Sequence, residues 1–236
     1  MKLSAPVYRL RRKARNLARR ENISLSRALD RVAAAEGFAS WNLLATCHRT
    51  KSPSARLLDL LQPGAMLLLA ARPGHGKTRL GLEVLDDATR RGRRAVFFSS
   101  EYTEKDLAGF CPAVRYSEAG RTGIETVLSD ELSACTVTAF LAGDRGGPIA
   151  VVDYLQVLDQ RRVSPELSEQ VKTLKAFAGA SGARLVVLSQ VHRSYDPVRK
   201  PLPDWTDVRL PNPVDLSLFD RGCFLNDGRL AVYAGP

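Results

Sequence analysis

The chain has 236 residues, of which 44% are hydrophobic, so it can form one full α/β domain and a small appendage. Its charge of +10 is uneven: residues 1–51 hold 12 Lys and Arg against 3 Asp and Glu, whereas residues 52–236 hold 23 against 22. No apolar run reaches the roughly 20 residues of a membrane helix, no secretory signal is visible, and the four scattered cysteines predict buried, reduced thiols, so we expect a cytoplasmic protein without a membrane partner.

The first 51 residues predict a basic segment of three short helices. Residues 5–20 carry one apolar stripe, Ser24 is a predicted N-cap for a second helix that ends at Gly37, and Ser40 is a predicted N-cap for a third. The excess positive charge predicts a polyanion partner, most simply nucleic acid, contacted by Arg11, Arg12 and Arg15. The pattern is similar to a helix-turn-helix, but it also fits a docking module or plain packing.

Residues 55–236 predict a second domain, which follows a polar linker at residues 51–54. Apolar runs predict strands at residues 66–70, 95–98, 149–152 and 184–188, and weaker strands at 216–219 and 230–233. Helices are predicted at residues 55–62, 79–91, from 103, 130–141, and from Ser164-Pro165 to about 180. Strands that alternate with helices predict an α/β domain with a central, mostly parallel sheet flanked by helices, and Asn226-Asp-Gly228 predicts a hairpin turn.

The sequence between the first strand and its following helix predicts a phosphate-binding loop. Ala71–Thr78 matches the pattern G-x-x-x-x-G-K-[ST] except at its first position, which is alanine. Glycines let the backbone approach a phosphate, and the start of a helix adds positive potential. The alternative is a chance Gly-Lys-Thr in a loop. The predicted nucleotide-binding residues are Arg72, Pro73, Gly74, His75, Gly76, Lys77, Thr78 and Arg79.

Polar side chains stand at the ends of the other three apolar strands. Glu101, Asp153 and Gln190 each follow a buried strand, and in a parallel sheet these ends meet at one edge. Asp153 fits a carboxylate that binds Mg²⁺ together with Thr78, Glu101 can polarise an attacking water, and Gln190 can sense a γ-phosphate. The alternatives are a strand-end cap for Asp153, a surface acid for Glu101 and a polar loop residue for Gln190. ATP is favoured over GTP because no N-K-x-D motif is present.

The four segments Ala71–Thr78, Phe98–Glu101, Val152–Gln156 and Leu188–Arg193 resemble the motor domain of the DnaB-type replicative helicases, which are RecA-like ATPases. The similarity spans roughly residues 60–220, in the family's order and spacing. It implies ATP and Mg²⁺ as cofactors and an ATPase linked to DNA, with homo-oligomers as an option. By resemblance, Lys77, Glu101, Asp153 and Gln190 are catalytic, Gln190 couples the γ-phosphate to DNA-facing loops, and Arg193, Arg199 and Lys200 lie where single-stranded DNA would bind.

One departure from the family leaves a second function open. That family places a Lys-x-Arg pair on a late strand, where it reaches a neighbour's ATP site, but residues 223–230 offer only Arg229. The first hypothesis is a DNA-linked ATPase in which the loop at residues 192–204 grips DNA through its cations and stacks a base on Tyr195. The second is a RecA-like nucleotide switch that controls a protein partner with little turnover.

Overall fold

The computed structural model describes residues 3–5, 7–47, 52–111, 114, 123–144, 146–153, 155–156, 166–210 and 212–236. The chain divides into two compact units, residues 1–51 and residues 52–236. Within the described ranges, no helix has both the length and the apolar character that a membrane crossing requires.

The α-helices of the described residues are α1 (Val7–Glu21), α2 (Leu25–Ala35), α3 (Trp41–Cys47), α4 (Pro53–Leu60), α5 (Lys77–Arg90), α6 (Glu104–Phe110), α7 (Ala134–Leu141) and α8 (Leu167–Ser181). The strands are β1 (Met66–Ala71), β2 (Ala95–Ser99), β3 (Ile124–Leu128), β4 (Ile149–Asp153), β5 (Arg184–Gln190), β6 (Arg221–Asn226) and β7 (Arg229–Ala234). The predicted α/β class with a central sheet is confirmed.

The strands form one sheet in the order β3-β2-β4-β5-β1-β6-β7. All neighbours run parallel except β6 and β7, which form an antiparallel hairpin. Strands β1, β2 and β4 are buried along their whole length, since helices cover both faces of a sheet built from such crossovers. The carboxyl ends of β1, β2, β4 and β5 therefore lie side by side in the middle of one sheet edge.

Local chemistry explains where several elements begin and end. Thr103 caps α6 with a capping box, its side chain accepting a hydrogen bond from the Asp106 backbone. Gly182 ends α8 in the left-handed region at φ 72°. The predicted turn at Asn226 is confirmed: Asn226 pairs with Arg229, and the two residues between them, Asp227 and Gly228, both have positive φ.

The sequence analysis misplaced several elements. Residues 216–219 are not a strand: a 3-10 helix covers Leu216–Leu218, because Asp215 accepts a hydrogen bond from the Ser217 backbone, and the strand begins only at Arg221. Strand β3 was missed because Glu125 and Thr126 interrupt its apolar run and four of its five residues are only half-buried. Helix α4 begins inside the predicted linker, where Ser52 caps it ahead of Pro53. The predicted start of α8 at Ser164-Pro165 lies outside the described residues.

The first unit contains the three predicted helices around a small apolar core. Its buried members are the side chains Leu10, Ala14, Ala28, Val32, Ala33 and Leu44. Ser24 caps α2 and Ser40 caps α3, both as predicted. Of the cysteines, Cys111 and Cys223 are buried as expected, whereas Cys47 and Cys135 are exposed, which corrects the expectation that all four are buried.

Candidate active site

The loop between β1 and α5 has the conformation that its glycines predict. Gly74 and Gly76 lie in the left-handed region, at φ 78° and φ 85°. A Cβ at Gly74 would meet no described atom within 4 Å, so the backbone conformation and not packing requires glycine there. Helix α5 starts at Lys77, and no side chain caps it in the described structure. The first N–H groups of a helix have no partner within the helix, and the helix dipole adds positive potential there, so this end of α5 can bind an anion.

A short hydrogen bond joins the loop to the end of β4. The hydroxyl of Thr78 donates to Oδ2 of Asp153 at 2.7 Å, and both residues are buried. The other carboxylate oxygen, Oδ1 of Asp153, is buried without a hydrogen-bond partner among the described residues. An orphaned acceptor beside a hydroxyl fits an oxygen-seeking cation such as Mg²⁺. The described residues contain no group of three His, Cys, Asp or Glu side chains that could hold a metal, so further ligands would be phosphate oxygens and water.

Burial changes the acidity of this carboxylate. It raises the pKa of Asp153 from 3.8 to about 6, although the positive charge of Lys77 and the Thr78 hydrogen bond lower it and Glu101 raises it further. Lys77 is itself buried, with 8% of its surface exposed. A cation that binds here would relieve the desolvation of the carboxylate, so the site is electrostatically prepared for positive charge.

We expect Asp153→Asn to stabilise the metal-free protein at neutral pH. Because its folded pKa is raised, the native state binds more protons than the unfolded state between about pH 4 and 6, so this carboxylate costs stability as the pH rises through that window. The gain should approach about 3 kcal/mol at pH 7.5 and vanish below about pH 4. Urea unfolding with a chelator at pH 4 and pH 7.5 measures it, with the exposed Asp130→Asn as control. A variant destabilised at pH 7.5 would contradict this expectation.

Glu101 lies just beyond the end of β2, beside the strand that ends in Asp153. Ser99 is opposite Asp153 in the β2–β4 register, and its hydroxyl accepts a hydrogen bond from the Glu101 backbone at 3.1 Å. The Glu101 side chain is exposed to solvent at the edge of the sheet. Tyr102 was missed by the sequence analysis: its hydroxyl lies 3.4 Å from the Thr78 hydroxyl. The apolar run of β2 gives no indication of this contact, because Tyr102 lies three residues beyond the end of the strand.

Gln190 ends β5 next to the phosphate-binding loop, where it is opposite Ala71 in the parallel register. Its side-chain oxygen accepts a hydrogen bond from Arg209 at 3.0 Å, and its backbone oxygen accepts one from the Arg209 backbone at 2.8 Å. Gln156 is buried beside them and donates to the Arg209 carbonyl at 2.6 Å and to Ser189 at 3.0 Å. No sequence signal pointed to Arg209, which lies in a segment without periodicity.

His75 has a contact that its sequence position did not suggest. The backbone N–H of Asp227, in the β6–β7 turn, points at Nδ1 of His75 at 3.5 Å. The neighbouring strand residue Leu225 lies 3.9 Å from the position of a Cβ built on Gly76. The β6–β7 hairpin therefore lies against the phosphate-binding loop, and Arg229 is exposed at its turn.

The loop at residues 192–204 places its cations differently from one another. Arg193 and Arg199 are exposed, and the only described ion pair of either is a long one, 3.7 Å from Arg199 to Asp196. Lys200 instead binds two carboxylates, Asp204 at 2.6 Å and Asp207 at 2.7 Å. The prediction that a base stacks on Tyr195 is wrong, because only 5% of that residue is exposed and its hydroxyl donates to the Lys200 carbonyl.

The three predicted arginine contacts of the first unit lie on the solvent face of α1. Arg11, Arg12 and Arg15 are exposed, and none has a described carboxylate partner; the ion pairs of Glu21 use Arg20 and Arg31. A surface groove of about 550 Å³ runs beside them, and it is lined by Arg12, Lys13, Asn16, Leu17, Arg20 and Val32. This surface carries a concentrated positive charge over an apolar floor.

Comparisons with known proteins agree with this fold. The chain is 25% identical over 205 residues to the replicative DNA helicase DnaB of Synechocystis, a match that covers 73% of this chain and 22% of that helicase. The solved structure of a DnaB-like replicative helicase, determined with its interactions with primase, superposes with a TM-score of 0.60 at 19% identity, over 97% of this chain and 71% of the other.

A second solved structure, the ATPase domain of another protein, superposes with a TM-score of 0.56 at 16% identity, over 77% of this chain and 80% of that domain. No protein-family model matches. The chain thus spans about a fifth of the curated helicase that it matches, and its fold resembles those of the DnaB-like replicative helicase and of this ATPase domain.

Proposed function

We propose that the protein binds and hydrolyses ATP and couples this turnover to single-stranded DNA, as a DnaB-helicase-like enzyme. The observation that carries the proposal is the 2.7 Å hydrogen bond between Thr78 of the glycine-rich loop and Asp153, which brings two distant segments to one sheet edge. Lys77 is buried beside that carboxylate, and Glu101 follows the adjacent strand. The resemblance to DnaB-type helicases supports the same assignment.

In this proposal each site residue has one task. The N-terminal N–H groups of α5 and the Lys77 ammonium bind the phosphates, with residues 72–79 forming the cradle. Thr78 and Asp153 would hold Mg²⁺, which neutralises charge on the β- and γ-phosphates when bound. Glu101 orients the attacking water and takes its proton. Gln190 contacts the γ-phosphate from the end of β5.

The DNA contacts are proposed at two places, each within one unit. Arg193 and Arg199 are the exposed cations of the 192–204 loop, which begins directly after Gln190 and Val191. Lys200 is held by Asp204 and Asp207, and we assign it to bracing this loop. In the first unit, the exposed Arg11, Arg12 and Arg15 offer a row of cations for phosphates.

One observation favours the nucleotide switch as a second candidate function. The β6–β7 turn that lies against the phosphate-binding loop carries a single exposed cation, Arg229, in place of a Lys-x-Arg pair. An arginine supplied by a neighbouring subunit can be worth about 10³–10⁵ in rate. Without it, slow turnover would suit a module whose ATP-bound state controls a protein partner.

The rate of phosphate release with and without a single-stranded oligonucleotide separates the two functions. We expect ATP hydrolysis to rise at least about fivefold with the oligonucleotide, and the effect to fade as salt is raised, because bound phosphates release counterions. A matched double strand tests the preference for single strands. ATP binding with negligible turnover, unchanged by DNA at low salt, would instead support the switch.

The same assay and a DNA-binding titration test α1. Changing Arg11, Arg12 and Arg15 together to glutamine should lower the slope of log affinity against log salt by about 2, since each lost single-strand phosphate contact removes about 0.7. ATP affinity should not change. Arg56, Arg90 and Arg91 changed together to glutamine give a control of equal charge loss in the second unit. An unaltered slope in the α1 variant would assign that helix to docking or packing.

A further inference from the structure

We infer that Arg209 is a positioning residue, which holds the Gln190 carboxamide so that its NH₂ group points toward the γ-phosphate. This inference rests on the proposed function, because it needs a nucleotide at the edge of the sheet. It adds a residue to the site that lies outside every sequence motif described above, on the segment that follows the 192–204 loop.

The contacts of Arg209 converge on two glutamines. Its Nη1 donates to Oε1 of Gln190 at 3.0 Å and its backbone N–H donates to the Gln190 carbonyl at 2.8 Å. Its own carbonyl accepts the Gln156 side chain at 2.6 Å. Val191 and Val208 form an antiparallel bridge, and the His192 N–H donates to the Asp207 carbonyl at 2.7 Å. The segment is thus fastened to the end of β5 by main-chain bonds that any side chain at position 209 would keep.

The side-chain bond decides the orientation of the amide. A glutamine amide has one acceptor and one donor end, which exchange places when the group turns by 180°. A guanidinium has only hydrogen-bond donors, so it can donate to the amide oxygen but cannot bond to the amide NH₂ group. With Oε1 fixed on Arg209, the two N–H groups of Gln190 are the end left for another acceptor. A phosphate oxygen needs such a donor, whereas the oxygen end would repel it.

The surroundings of Arg209 argue against an alternative role as an ordinary surface ion pair. Arg209 is exposed, and no carboxylate of the described residues lies within ion-pair distance of it. Its described side-chain partner is the neutral amide of Gln190. Arg209 thus donates its described side-chain hydrogen bond to a neutral amide beside the phosphate-binding loop. This arrangement is best explained if Arg209 orients that amide.

Arg209→Met tests the inference, since methionine keeps most of the length but cannot donate. We expect kcat for ATP hydrolysis to fall between about 10- and 100-fold, the range seen when a group that orients a functional ligand is removed. KM for ATP should change less than about threefold. Arg209→Lys, which also carries donors only, should recover part of the loss. Arg90→Met, an exposed arginine at the far end of α5, is the matched control.

A double-mutant cycle with Gln190→Ala separates positioning from a general structural effect. If Arg209 acts through Gln190, then Arg209→Met should cost less than about twofold once Gln190 is alanine. Equal losses in both backgrounds would overturn the inference, as would an Arg209→Lys variant no better than Arg209→Met. Thermal unfolding of each variant shows whether the main-chain fastening is intact.

The preference for ATP over ADP gives a readout that does not need turnover. Arg209→Met should reduce the ratio of ATP to ADP affinity, measured with fluorescent analogues, while ADP affinity stays constant. If the unaltered protein binds neither nucleotide, the proposed function fails and this inference with it. If the unaltered protein prefers ATP and Arg209→Met keeps the same ratio and kcat, the positioning role alone is overturned.

Discussion

Lys77→Ala is expected to lower ATP affinity at least about 100-fold and to abolish hydrolysis. Lys77 is buried at the start of α5, where its charge would bind the β- and γ-phosphates in place of water. Without this charge, the backbone N–H groups of α5, Gln190 and the bound Mg²⁺ would have to hold a strongly negative ligand. Titration with a fluorescent ATP analogue measures the affinity, and phosphate release measures the turnover.

Two controls keep this result interpretable. Lys77 also lowers the pKa of Asp153, so its loss leaves that buried carboxylate with less compensation and can weaken folding. Lys77→Met keeps the side-chain volume, and a melting curve reports the stability of both variants. Lys172→Ala removes an exposed lysine of α8 and should leave binding unchanged. Folded Lys77 variants that bind ATP normally would move the nucleotide site elsewhere.

Glu101→Gln is expected to separate binding from hydrolysis. The amide has the same size as the carboxylate but cannot accept the proton of the attacking water, so turnover should fall about 10²–10⁴-fold. ATP affinity should stay within about threefold of that of the unaltered protein, because Glu101 is exposed at the edge beyond β2. Its negative charge would not attract a phosphate, so its loss should not weaken ATP binding. Single-turnover phosphate release and analogue binding measure the two quantities.

Glu104→Gln is the matched control for that experiment. Glu104 lies three residues further along, in the first turn of α6, and carries the same charge. Its replacement should leave the rate of hydrolysis close to that of the unaltered protein. If Glu101→Gln turns over normally while Lys77→Ala does not, the nucleotide assignment stands and another group must activate the water.

The sequence predicted the four central strands better than the segments that connect them. Continuous apolar runs gave β1, β2, β4 and β5 to within two residues at either end, because strands buried on both faces leave a pattern that needs no partner to be read. The strand-end residues Glu101, Asp153 and Gln190 followed from those ends. The proximity of Asp153 and Thr78 then depended only on parallel pairing.

The misses have several physical causes. Strand β3, with one fully buried residue, and the 3-10 helix at residues 216–218 are set by tertiary pairing and by a local Asp215 cap. Arg209 and Tyr102 contact residues that are distant in sequence, and no local pattern records such contacts. Tyr195 was predicted to be a surface aromatic, because the sequence of a Pro-rich, charged loop does not indicate that one of its side chains is buried.

The bracing of the 192–204 loop has a mechanical consequence. Lys200 ties the far side of the loop to Asp207, and Asp207 is bonded through its carbonyl to His192, which sits where the loop leaves β5. Both ends of the loop are thus held at the end of β5, so we expect them to move together. A displacement of this strand end would therefore move the exposed Arg193 and Arg199 together.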